Sequence, residues 1–217
     1  ACGFDGIEPA LARAATARAP LGPLPLPSVR FVAYTRPHDA APEGELAGGT
    51  VLFDWDAVTG AGDDRVRLLV AHELAHLWYG GAVPIGGRAP MWWWESIASY
   101  VALWALTDRE REGLLAAWAA RVRELGAAAR WSARDARARS YFQGALVLVI
   151  LERRIGTDRM AAALRRLVAT RRGQPSDWQA VIAAVAGEVG AGQGEWLRGA
   201  LGWSGGEVVA ARARAGT

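Results

Sequence analysis

Lysine is missing altogether: all 25 basic residues of the 217 are arginine, against 22 acids. With so much alanine and glycine beside it, this bias reads as nucleotide composition rather than as selection for binding phosphate. No dense basic run with interleaved aromatics occurs, so a nucleic-acid partner is not expected. Cysteine appears once, at Cys2, which excludes an internal disulfide and any thiolate metal cluster. Histidine appears three times, as His38, His72 and His76. No apolar run reaches the length of about 18 residues that a membrane-spanning helix requires. What is abundant is apolar character, 52% of the chain, enough for one sizeable core and a single domain over residues 1–217.

The sequence starts at Ala1 rather than Met, and Ala1-Cys2-Gly3 resembles the end of a bacterial lipoprotein signal. Two readings stand side by side. One is a lipidated Cys2 acting as a membrane tether, which favours an extracytoplasmic over a cytoplasmic location. The other is a stray cysteine.

Along the chain, Asp5 to Arg18 reads as a short helix, and Pro20 to Pro27 as a stiff turn carrying four prolines. Ser28 to Thr35 and Thr50 to Asp54 alternate in the manner of strands, with a loop expected from Pro37 to Gly49. Beyond Asp63 the pattern is helical. Helices are expected over 65–79, 94–106, 109–125, 141–155, 158–171, 177–189 and 195–201. The expected fold class is therefore α+β and mostly α. An N-terminal helix and Pro-rich segment (1–27) and a small sheet (28–60) pack on a helical body (61–217).

The informative segment is Val70-Ala-His72-Glu73-Leu-Ala-His76-Leu-Trp78. Histidines four apart on a helix share a face, and their imidazoles converge on one point as two ligands of a tetrahedral zinc must. Glu73 points past such a metal, where it can take a proton from water on the open position. An amphipathic helix carrying two histidines by chance is the plainer alternative. It fails to account for Glu95, which follows His76 after 18 residues, enough to end one helix and begin the next. His72, His76 and Glu95 are thus the candidate ligands of one Zn2+ per chain, and Glu73 is the candidate general base.

These residues bring a family into view. His72-Glu-Leu-Ala-His76, Trp94-Glu95-Ser-Ile-Ala-Ser-Tyr100 and Ser140-Tyr141-Phe-Gln-Gly144-Ala-Leu146 resemble the H-E-x-x-H, W-x-x-E-G-F-A-x-Y and Y-x-x-G-A-L blocks of the aminopeptidase N family. These are gluzincin metallopeptidases, and glycyl-aminopeptidases carry a third block much like this one. The resemblance implies a zincin-like fold, a zinc cofactor and peptide substrates. It also implies that Tyr141 stabilises the oxyanion of the tetrahedral intermediate. It further points to Gly44, Glu45, Ala47 and Gly48 as the counterpart of the G-x-M-E-N strand that anchors a substrate's free amine. Ala47 stands where the anchoring glutamate belongs; Glu43 or Glu45 could replace it, though a strand residue shifted by one or two changes its direction. Ser96 replaces the glycine that follows the metal glutamate.

The remaining features have bland readings. Met91-Trp-Trp-Trp94 either floors a substrate cleft or packs the core, and core packing is the commoner use of such residues. His38 reads as a solvated loop residue, and Arg134, Arg137 and Arg139 as a solvated face. Two other functions are compatible with the motifs: a zinc hydrolase or lyase acting on a small molecule, and a non-catalytic envelope binding module in which zinc only fixes the fold.

Overall fold

In the second half of the small sheet, Val51 and Phe53 are fully buried while Thr50 and Leu52 are half-buried. This is the two-residue alternation of a strand with one face on the core. The computed structural model describes residues 7–17, 19–34, 44–47, 49–54, 63–86, 92–126 and 139–215. Cys2, His38, Glu43, Gly48, Met91, Arg134 and Arg137 lie outside them, and Arg139 is described only in its backbone.

The sheet has three strands, β1 (Arg30–Tyr34), β2 (Gly44–Ala47) and β3 (Thr50–Asp54), in the order β1-β3-β2. β1 runs parallel to β3, with Phe31 beside Val51, and β2 runs antiparallel to it, with Glu45 beside Leu52. Phe31 and Phe53 stack at 6.1 Å. β2 falls inside the segment expected to be a loop. Its four residues begin with Gly44 and are followed by Gly48-Gly49, a weak strand signal, and what makes it a strand is pairing with β3.

The helical body begins with α1 (Ile7–Ala17), which packs on α2 (Asp63–Ala75). Then follow α3 (Trp92–Ala102), with a 3-10 turn after it, and α4 (Asp108–Gly126). A five-residue π turn, Arg139–Gln143, leads into α5 (Gly144–Ile155). The chain closes with α6 (Thr157–Arg171), α7 (Trp178–Val189), α8 (Ala191–Ala200) and α9 (Gly205–Ala215). α5 is the axis of this body. Every residue from Gly144 to Glu152 is buried, as expected of a helix apolar on all sides. It packs against α3, α6 and α9. Among the described residues no helix is long and apolar enough to cross a membrane.

Two departures from the expected boundaries bear on the site. α2 ends at Ala75, short of the expected Tyr79, and the chain tightens through hydrogen bonds from His76 N to the Glu73 carbonyl and from Leu77 N to the Leu74 carbonyl. Gly80 then adopts φ +123°, which reverses the chain. α9 was not expected at all, yet its start is encoded: Ser204 Oγ and the Ser204 backbone N–H both donate to Glu207, and Glu207 N donates back to Ser204. This is a capping box, written in the sequence as Ser204-Gly-Gly-Glu207.

Candidate metal centre

Three elements converge here: the end of α2, the first turns of α3 and the π turn. α2 carries His72 in its last turn, and His76 occupies the tightened turn that follows. Although His76 lies just past the helix, its ring still turns onto the face of His72: the two rings meet edge-on, 4.7 Å apart between centroids. α3 packs on α2 and contributes Glu95 from its first turn.

His72 Nε2 and His76 Nε2 lie 3.1 Å apart, and Glu95 Oε2 lies 3.0 Å from the first and 3.6 Å from the second. Ligands 2.0–2.1 Å from a tetrahedral zinc would stand about 3.3–3.4 Å from one another. The three observed separations bracket that edge. His72, His76 and Glu95 form the group of such residues, among those described, whose donor atoms meet closely enough for one ion.

The outward-facing nitrogens decide the protonation. His76 Nδ1 lies 3.1 Å from the carbonyl oxygen of Tyr79 and donates to it. His72 Nδ1 lies 3.3 Å from Ser99 Oγ, one helical turn beyond Glu95 on α3. The indole N–H of Trp94 also abuts His76 Nδ1. One nitrogen cannot donate to Tyr79 and accept from Trp94 together, and the tautomer with Nδ1 protonated gives the hydrogen bond to the carbonyl. When both imidazoles are neutral with the proton on Nδ1, as metal binding requires, two Nε2 lone pairs and a carboxylate converge; in the metal-free form a proton on Nε2 is shared with Glu95 instead. Three converging acceptors call for a cation, and two imidazoles with one carboxylate are a donor set of catalytic zinc.

Charge is distributed accordingly. Burial alone would lower the pKa of His76, but the Glu95 carboxylate, with Glu73 and the Tyr79 carbonyl, outweighs it and raises the value above the ordinary 6.5. Burial alone would raise Glu95, but hydrogen bonds from His72 and His76 outweigh it and hold the carboxyl far below its ordinary range. Glu73 is buried, 4% exposed, and close enough for its charge to act on His76. Tyr141, in the middle of the π turn, lays its ring over His72 at 5.4 Å with 30° between planes.

The geometry thus gathers His72, His76, Glu95, Glu73 and Tyr141. The tryptophan run divides. Trp93 is fully buried and meets Trp178 in the core, while Trp94 stands edge-on to His76 at 5.3 Å. Gly44, Glu45 and Ala47 are on β2, one of the two edge strands, which packs against α2. Sequence reasoning missed Ser99 and the seat of Trp94 against His76. A signal existed for Ser99, since a residue four beyond Glu95 shares its helix face.

No family model matches the chain, and no curated protein matches it. Solved structures do. The M1 zinc metallopeptidase from Deinococcus radiodurans superposes with a TM-score of 0.72 and 24% identity, covering 91% of this chain and 44% of that one. A mutant M1 zinc metallopeptidase from that organism, bound to a Tyr-ser-ala substrate, aligns at 0.68 and 25% identity over 87% and 43%. A two-domain mutant enzyme bound to L-tryptophan aligns at 0.70 and 24% over 89% and 44%. The chain therefore shares the fold of these enzymes and spans less than half of their length.

Proposed function

We propose that this protein is a zinc-dependent metallopeptidase of the gluzincin type, aminopeptidase-like in its site but with a degenerate amine anchor. One observation carries the reading. Two Nε2 atoms and a carboxylate oxygen converge within 3.0–3.6 Å while the outer nitrogens of both imidazoles face hydrogen-bond partners. His72, His76 and Glu95 would hold one zinc. When bound, zinc supplies a Lewis acid and lowers the pKa of a coordinated water to about 7.

The chain's own residues supply the rest. Glu73 takes a proton from the attacking water and passes it to the leaving amine, a role worth ~10²–10⁴-fold in rate. The Tyr141 hydroxyl donates a hydrogen bond to the oxyanion as charge develops. β2, with Gly44, Glu45 and Ala47, is an edge strand against the site helix, so a substrate peptide can lie along it in extended form. Peptide and amino-acid ligands in the similar solved enzymes agree with a peptide substrate.

The test is Glu73→Gln assayed on free-amine aminoacyl and amino-blocked peptide fluorogenic substrates, beside metal analysis. The variant is expected to keep one zinc per chain and lose activity by ~10²-fold or more. Normal turnover by Glu73→Gln would refute the mechanism. A wild type that binds zinc yet cleaves neither substrate set would transfer the site to small-molecule hydrolysis.

A further inference from the structure

Tyr141 does not sit on a regular helix. It is the third residue of the π turn Arg139–Gln143, a segment whose hydrogen bonds span five residues rather than the four of the α-helix following it. A side chain that must aim at one oxygen needs that turn held from outside. Gln143, the turn's last residue, is 8% exposed, and its Nε2 donates to the backbone carbonyl of Trp203 at 2.7 Å, across 60 residues of sequence. Trp203 lies between α8 and α9, and its ring is fixed edge-on to Trp196 at 5.5 Å, which in turn carries the Arg154 guanidinium 4.8 Å above it. The acceptor is therefore anchored to α8 and α5. On the turn's other side Phe142 packs on Trp118 of α4 at 5.5 Å.

We propose that Gln143 is a positioning residue for Tyr141. The Gln143–Trp203 hydrogen bond would hold the π turn so that the Tyr141 ring stays over His72, and the C-terminal helices would take part in catalysis through it. The inference rests on the oxyanion role given to Tyr141 above. A misplacement of about 1 Å at a catalytic group can cost on the order of 10²-fold in rate, so one hydrogen bond suffices to matter.

The experiment is a double-mutant cycle on the full chain with zinc. Gln143→Met keeps the length and removes the donor; Tyr141→Phe removes the hydroxyl. Gln143→Met is expected to lower kcat about 10-fold with KM and zinc content unchanged, and by less than about twofold in the Tyr141→Phe background. Gln143→Lys keeps an N–H donor within reach of the Trp203 carbonyl and is expected to hold kcat within about threefold, which keeps the test open should Gln143→Met fail to fold. An equal loss in both backgrounds, or a folded Gln143→Lys as impaired as Gln143→Met, would overturn the assignment. A second readout needs no turnover: 3-fluorotyrosine placed at position 141 should give one sharp 19F resonance that shifts or broadens in Gln143→Met and is restored in Gln143→Lys. If the wild type cleaves no peptide, the peptidase reading fails while this resonance still reports the strut. An unmoved resonance overturns the strut alone.

Discussion

Ser99→Ala is the perturbation that isolates the support of the candidate metal centre from its proposed ligands. Ser99 is 4% exposed and its Oγ stands 3.3 Å from His72 Nδ1. It is not among the candidate ligands His72, His76 and Glu95. Partners of this kind are worth 10–100-fold in metal affinity, because they fix both the tautomer and the ring angle of the ligand. The contact is long for an N–H···O bond, so the effect belongs at the low end, about 10-fold, or ~1.4 kcal/mol. His76 provides an internal contrast, since its Nδ1 donates to a backbone carbonyl that no side-chain substitution removes. The assay is competition for zinc against a chromophoric chelator at fixed pH and salt, with the fold followed by circular dichroism. A Ser99→Ala protein that binds zinc as tightly as the wild type, within twofold, would show that the tautomer argument has the wrong partner for His72.

Three further outcomes follow from the same geometry. In the metal-free protein the raised His76 stabilises the fold fully below its ordinary 6.5 and ceases to as pH rises through the raised value, whereas the lowered Glu95 does so above its ordinary 4.5. The melting temperature of the apo form should therefore rise on acidification from roughly pH 8 to roughly pH 6 while zinc affinity falls, since bound imidazoles must be neutral; parallel trends would contradict this. Gly80→Ala should destabilise by about 1–3 kcal/mol, because φ is +123° and a Cβ would come 3.1 Å from the Trp94 ring; an unchanged melt would remove Gly80 and Trp94 from the support of His76. Chelation should lower the melting temperature, and one equivalent of zinc should restore it, by ~4 kcal/mol of linkage when free zinc is about 1,000 times its Kd. A melt insensitive to both would count against a resident metal.

How much was legible in advance depends on the range of the interaction. The run of helices after Asp63 follows local periodicity. The capping boxes at Thr107-Asp-Arg-Glu110 and Ser204-Gly-Gly-Glu207 show that even the boundaries of α4 and α9 have local causes, the second of them overlooked. β2 was not readable as a strand from local pattern, and only the family resemblance pointed to one there, because four residues that start with one glycine and are followed by two become extended only once β3 offers a ladder.

The same division runs through the site. His72, Glu73, His76 and Glu95 declare themselves by their spacing in the sequence, although His76 lies just past the end of α2 and Glu95 reaches the histidines through the packing of α3 on α2. Spacing puts Ser99 on the face of Glu95, but nothing in the linear chain says that it meets His72 Nδ1, that Trp94 stands on His76 while Trp93 joins Trp178, or that Gln143 donates to a carbonyl 60 residues away. Those contacts depend on how α3, α5, α8 and α9 settle against one another. Burial of apolar faces is indifferent to which polar atoms it brings into register, so only the packed structure decides them.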